Sequence, residues 1–335
     1  MARAWMALLL AAAAGPLCAQ APDAPGRVVD LDGYGLHLWC EGSGGPTVVL
    51  SAGAGDYSFD WEPVMEGLRG AVRVCSYDRP GFAWSAAGPV PRTMAQEAFE
   101  VRTALARAGE RGPYVFVGHS VGGLVARVFA HAYPDDVAGL VLVDPTHEDT
   151  RLMYQGRIVR VRDSSRPVPV PQPTTYAASP PRAPTAQEEK DFADERASVG
   201  APRIEPPFDR LSPRAQAWRL WALGVMRPLP GDDYWPEELT ALAQRRREDE
   251  LNGLPVAIIL PALRPLPPDA PAEEREMMAE KQAQKEALIH LSRSAVLVRA
   301  DSTGHHVHLE QPAFVVAVVR GLVNFARQRQ APRPD

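Results

Sequence analysis

The sequence predicts an α/β fold, a mostly parallel sheet with helices on both faces, and three observations carry that reading. Short apolar runs alternate with helical patterns along most of the chain, the rhythm of strand-helix-strand units. Several runs, among them Thr47-Val48-Val49-Leu50 and Gly139-Leu140-Val141-Leu142-Val143, are apolar throughout, as strands covered on both faces are. One further run, Tyr114-Val115-Phe116-Val117-Gly118, passes through His119-Ser120 into the helix-like Val121-Gly122-Gly123-Leu124-Val125-Ala126-Arg127. One serine therefore stands on a strand-to-helix corner.

Taken in order, Arg27 to Asp32 and Leu36 to Cys40 are short alternating segments joined by Gly33-Tyr34-Gly35, a hairpin signal. Thr47 to Leu50 is a buried strand that runs into Ser51-Ala52-Gly53-Ala54-Gly55-Asp56, where small residues let backbone N–H groups approach a ligand. Val72 to Tyr77 is the next strand. Thr93, with Gln96 three residues on, caps a helix whose Ala98, Val101, Leu105 and Ala108 share one face and which Gly109 ends. The helix after Ser120 closes at Tyr133-Pro134, and the strand Gly139 to Val143 is followed by Asp144-Pro145.

From about Thr150 to Gly253 the rhythm lapses. Arg166-Pro167-Val168-Pro169-Val170-Pro171-Gln172-Pro173 is too rich in proline for a helix or a central strand. Helices are expected over Ala186 to Ala197, Ser212 to Met226 and Pro236 to about Glu250. The rhythm resumes with Leu254 to Leu260, a charged helix from Ala272 to Leu291, the strand Ala295 to Val298, and a last amphipathic helix from Pro312 to about Arg327. The chain thus divides into a first core part (20–149), a helical cap insertion (150–253), a second core part (254–328) and a tail (329–335). Trp218 and Trp221 either line a cap over the site or pin the insertion to the main domain, and both can hold at once.

A net charge of −5 with scattered arginines argues against a nucleic-acid partner. Met1 to Ala14 sets one positive charge ahead of a short apolar run, broken by Gly15-Pro16, with Ala19 offering a cleavage point before Gln20. Residues 1–19 are read as a signal peptide and the mature chain as exported and without a membrane span. Cys18 raises a lipoprotein reading, which Leu17 and Gly15 at the flanking positions disfavour.

Gly118-His119-Ser120-Val121-Gly122 is a G-x-S-x-G turn, and glycines two before and two after the serine are what a corner this tight needs. The flanking strand and helix separate it from a chance match and make Ser120 the candidate nucleophile. A base is offered by His305 in Ser302-Thr303-Gly304-His305-His306-Val307-His308, just past the last strand, where Gly304 permits a sharp exit. His306 and His308 raise a metal alternative, but no Cys, Asp or Glu cluster in the sequence completes a ligand set, so neither metal nor cofactor is expected. His119 flanks the nucleophile with its side chain directed the other way, a structural position.

With Gly118-His119-Ser120-Val121-Gly122, Gly304-His305, Tyr77-Asp78-Arg79-Pro80-Gly81 and Leu142-Val143-Asp144 in place, the chain resembles the α/β-hydrolase superfamily over nearly all of its expected mature length. The resemblance implies an eight-stranded sheet with the second strand antiparallel, a triad in the order Ser, acid, His, and an oxyanion hole of two backbone amides. Those amides would belong to Val121 and Ala54. In that fold the second and fourth strands are neighbours, which brings Cys40 and Cys75 close; in an oxidising compartment they pair, the alternative being two inert buried thiols.

The sequence departs from the family twice. Ala52-Gly53 stands where most relatives carry His-Gly, which a hole built from backbone N–H can tolerate. The acid that usually follows the seventh strand is missing from Leu260-Pro261-Ala262-Leu263-Arg264-Pro265, and Asp269 comes several residues late. Asp144, at the end of the sixth strand, is the preferred acid, because the mechanism asks only for a carboxylate within hydrogen-bond reach of the imidazole. Asp269, Glu148 or Asp149, and a dyad without an acid remain alternatives. The resulting expectation is acyl transfer from a small carboxylic ester to water, with an amidase, peptidase or lactonase on the same triad as runners-up and a non-catalytic binding protein as the reading from another class.

Overall fold

The computed structural model describes residues 21–154, 157–162, 170–175, 177–178, 180, 182–226, 235–262 and 266–330. The expected leader, residues 166–169 of the proline run, residues 263–265 and the last five residues of the expected tail lie outside them. The chain opens with the strands β1 (Arg27–Asp30), β2 (Gly35–Glu41) and β3 (Val48–Ser51), then helix α1 (Glu62–Leu68) and β4 (Val74–Tyr77). Helix α2 (Met94–Arg107), β5 (Tyr114–His119), α3 (Val121–Ala132) and β6 (Val137–Val143) follow. A small ribbon, β7 (Arg151–Tyr154) and β8 (Arg157–Arg160), precedes α4 (Ala186–Val199), α5 (Pro213–Val225) and α6 (Trp235–Arg245). The chain continues through β9 (Val256–Pro261), α7 (Ala272–Ala287), β10 (Ala295–Ala300), the single turn α8 (Val307–Glu310) and α9 (Pro312–Gln330).

Eight strands hydrogen-bond in the order β1-β2-β4-β3-β5-β6-β9-β10, and β2 alone runs against the rest. Because successive side chains of a strand point to opposite faces, Val48 and Leu50 enter one core and Val49 the other; Val115 and Val117 divide from Phe116 in the same way. Helices α1 and α9 cover the first face, α2 and α3 the second. Thr93 Oγ1 accepts from Gln96 N at 2.9 Å at the start of α2, as the capping pattern predicts. Cys40 and Cys75 lie opposite each other in the β2–β4 register and form a disulfide. Closing a loop of 35 residues is worth about 4 kcal/mol through the unfolded state.

The ribbon β7–β8 has no counterpart in the sequence reading of the insertion. Helix α6 ends at Arg245 and not near Glu250, because Arg246 turns away to donate to Glu148 Oε1 (2.9 Å) and Asp149 Oδ2 (2.6 Å). Trp218 of α5 packs against Trp84, Phe59 and Trp39 with ring centroids 5.4, 6.0 and 6.2 Å away, and Arg219 donates to the buried Asp60 at 2.5 Å. These contacts of Trp218 pin α5 to the main domain, one of the two roles open to the tryptophans. Among the described residues no helix is long and apolar enough to cross a membrane.

Candidate active site

Ser120 joins β5 to α3 with φ 52° and ψ −119°, a left-handed backbone that L-residues adopt only under constraint. The constraint is steric closeness. A Cβ at Gly118 would lie 2.2 Å from Gly122 O, one at Gly122 would lie 2.4 Å from Ser51 O, and one at Gly123 would lie 2.8 Å from Pro145 Cβ. Absent side chains thus let α3 descend onto the ends of β3 and β6, and the serine is thrust out at the carboxyl edge of the sheet. Its carbonyl is held from outside the helix by Thr146 N at 3.0 Å, and its hydroxyl lies 3.4 Å from Thr146 Oγ1.

The neighbouring strands deliver the other groups to the same edge. Residue 143 pairs with His119 on one side and Ile259 on the other, so Asp144 emerges between the elbow and β9, its N–H donating to Ile259 O at 2.7 Å. The loop after β10 carries His305, whose Nδ1 donates to Asp144 Oδ2 at 2.6 Å. The imidazole side chain is 47% exposed and the carboxylate 4%, which leaves the acid dry and the base open to the cavity. Lys285 of α7 donates to the other carboxylate oxygen, also at 2.6 Å. Burial alone would raise the Asp144 carboxyl, but His305 and Lys285 outweigh it and hold it below its ordinary value.

Register also aligns the loop after β3 with the elbow, since Ser51 pairs with Gly118. Gly53 O accepts from Asp56 N (3.2 Å) and from the Arg79 guanidinium (2.6 Å), which folds Ala54 and Gly55 into an exposed turn. Val121 N is the first N–H of α3, one of the donors a helix start leaves unpaired within itself.

Ser120, Asp144 and His305 line one cavity of about 780 Å³. Its outer wall is α7, which contributes Arg275, Met278, Lys281 and Lys285. Lys281 forms no salt bridge among the described residues, and burial together with the Lys285 cation lowers its ammonium below the usual value. The sequence reading treats α7 only as a charged core helix; nothing in its composition separates these lysines from solvated ones.

Asp144 and His305 are hydrogen-bonded and share one cavity with Ser120, whose hydroxyl has Thr146 Oγ1 as its hydrogen-bond neighbour, while the other acids lie elsewhere. Asp269 is exposed. Glu148 is buried against Arg127 at 2.5 Å, and Asp149 is engaged by Arg246 and Arg162. His119, read as structural, donates from Nε2 to His305 O at 3.0 Å. The sequence shows no acid to complete a ligand set with His306 and His308, yet folding places Asp56 and His119 beside them, because the loop after β3 and the last residue of β5 reach the edge where the His305 turn lands.

Comparisons with known proteins agree with this architecture. A profile of the alpha/beta hydrolase family matches residues 48–318. The Bacillus subtilis (strain 168) protein YqjL is 33% identical over 124 residues, 37% of this chain and 49% of that protein. An AB hydrolase superfamily protein of Gibberella zeae is 25% identical over 293 residues, 84% of this chain and 87% of its own. The chain therefore spans about half the length of the first of these relatives and most of the second. Among solved structures, a thermophilic esterase from Thermogutta terrifontis superposes with TM-score 0.53 at 21% identity, covering 88% of this chain and 94% of that one. The enol-lactonase from Burkholderia xenovorans LB400 does so with TM-score 0.57 at 18% identity, covering 89% and 100%. Sheet order, elbow geometry and the long profile match lead to one conclusion: the chain belongs to the alpha/beta hydrolase family.

Proposed function

We propose that this hydrolase cleaves a small carboxylic ester through an acyl-enzyme on Ser120. The observation that carries the reading is the Asp144–His305 hydrogen bond of 2.6 Å, in the same cavity as a serine held on a left-handed corner. His305 Nε2 takes the hydroxyl proton as Oγ bonds to the carbonyl carbon, and the amides of Ala54 and Val121 receive the developing oxyanion. The ester C–O bond then breaks, and the imidazolium returns its proton to the leaving alcohol. Water, deprotonated by the same imidazole, releases the acid and restores Ser120. Asp144 holds the proton of His305 on Nδ1 and offsets the charge of the imidazolium.

Lys281 and Arg275 on the cavity wall favour an ester with an anionic group beyond the scissile bond. An esterase and an enol-lactonase among the structural neighbours are consistent with ester or lactone chemistry. The test is a fluorophosphonate probe, followed by a chain-length series of nitrophenyl esters and matched anilides. Wild type should label and Ser120→Ala should not; labelling that survives the substitution, or anilide rates matching ester rates, would refute the reading. Export is part of the proposal, and a mature chain starting at Gln20 after expression in a bacterium is the expected result of N-terminal sequencing.

A further inference from the structure

Four side chains that the hydrolytic mechanism does not use converge behind His305. Asp56 comes from the loop after β3, His119 from the last position of β5, and His306 and His308 from the turn into α8. Asp56, His119 and His308 are buried and offer ligand atoms that all lie within 4.8 Å of one another. His119 Nδ1 stands 3.3 Å from Asp56 Oδ2, and His306 Nε2 stands 3.7 Å from that same oxygen. Two ligands on a tetrahedral ion with bonds of about 2.1 Å are about 3.4 Å apart, so the His119–Asp56 separation suits neighbouring corners of one coordination shell. His306, outside the 4.8 Å set but next to the same Asp56 oxygen, stands where a turn of its part-exposed side chain supplies the fourth ligand.

The hydrogen bonding points the same way. His119 Nε2–H donates to a carbonyl, His305 O, so in the neutral ring the lone pair is on Nδ1. That nitrogen is buried without a hydrogen-bond partner although a carboxylate oxygen is 3.3 Å away. In that tautomer two acceptors face each other, an arrangement that a shared cation resolves. His308 Nδ1 is likewise buried and unpartnered among the described residues. The backbone passes close by: a Cβ at Gly53 would lie 2.8 Å from His119 Nδ1 and 2.9 Å from Asp56 Oδ2, so glycine keeps the approach between those two atoms clear. Arg219, the nearby cation, is committed to Asp60 at 2.5 Å and approaches only the other oxygen of Asp56, at 3.7 Å.

We propose that Asp56, His119, His306 and His308 bind a divalent transition metal of the zinc class. Three imidazoles and a carboxylate are a donor set zinc accepts, and four protein ligands leave no open position for a reacting water. The ion is therefore structural. It ties the loop bearing Ala54, the residue before Ser120 and the turn bearing His305, three segments from separate strands, into one unit. Histidines whose second nitrogen is anchored, as that of His119 is on His305 O, are the usual form of such ligands.

The test reads metal directly, without turnover. The full chain, carrying no polyhistidine tag, is stripped with a chelator and titrated with Zn²⁺, and separately with Co²⁺, whose visible absorption distinguishes tetrahedral coordination. One equivalent per chain, a tetrahedral Co²⁺ spectrum and a higher Tm with Zn²⁺ are expected. His308→Gln and His306→Gln should each weaken binding by about 100-fold, at the upper end of what lost support around a bound metal costs. His290→Gln, an exposed residue paired with Glu248, should change nothing. Should His308→Gln fail to fold, His306→Gln decides, since that side chain is 23% exposed. A folded wild-type chain that takes up neither ion, or binding unaltered in His306→Gln, overturns the assignment.

Discussion

Asp144→Asn probes the proposed chemistry at the atom pair on which it turns. The carboxylate accepts twice, from His305 Nδ1 and from Lys285 Nζ, each at 2.6 Å. Asparagine has one acceptor oxygen and an amide that donates, so it can serve only one of these donors. The ammonium, being charged, makes the stronger bond to oxygen and leaves the NH₂ facing the imidazole. His305 must then accept at Nδ1 and keep its proton on Nε2, the nitrogen that has to receive the proton of Ser120. Backbone strain does not confuse the result, because residue 144 sits at φ 38° and Asn tolerates the left-handed region as well as Asp does. The expected loss in kcat is about 10⁴-fold, equivalent to about 5 kcal/mol of barrier. Initial rates on a nitrophenyl acetate, with circular dichroism and Tm to establish folding, measure it. Adding Lys285→Met should recover part of the loss by freeing the amide oxygen for the imidazole. A folded Asp144→Asn enzyme within tenfold of wild type, or a comparable collapse in Asp269→Asn, would refute the reasoning.

Gly118→Ala places a methyl 2.2 Å from a backbone oxygen that cannot yield, so little soluble protein and no fluorophosphonate labelling are expected; Gly70→Ala, with nothing within 4 Å, should match wild type in yield and Tm. Lys281→Met should raise KM for a carboxylate-bearing nitrophenyl ester about fivefold more than for the neutral ester, the scale of a partly exposed ion pair; equal effects on both substrates would remove Lys281 from substrate recognition. Buried Glu148 is opposed by desolvation, but Arg127 outweighs this and draws its carboxyl from 4.5 to about 2. A depressed carboxyl contributes stability that is present above the unfolded value and lost as pH falls through the folded one. About 3 kcal/mol should therefore disappear between roughly pH 5 and 2, by urea unfolding, and Glu148→Gln should flatten that part of the profile.

Much of the fold was legible because its signals are local. Unbroken apolar runs mark strands covered on both sides, Thr93 and Gln96 mark a helix start, and Gly118 and Gly122 mark a corner where no Cβ fits. Each depends on residues within a few positions of one another. The early end of α6 was missed for the opposite reason: Arg246 leaves its helix for two acids nearly a hundred residues earlier, and no window of sequence contains both. The ribbon β7–β8 is local, but Arg151 and Arg160 at its open end are both held by Glu280 of α7, more than a hundred residues on.

At the site the division is the same. Ser120 and His305 announce themselves through the glycines that shape their own turns, and Asp144 through its place at a strand end, so the sequence by itself determined the identity of the candidate groups and their chain order. Which carboxylate meets the imidazole, that Lys285 joins it from 141 residues away, and that Asp56 and His119 stand against His306 and His308 were decided only when strand register brought four loops to one edge of the sheet. Side-chain chemistry is written one residue at a time, whereas a distance between two side chains belongs to the packing of the whole chain.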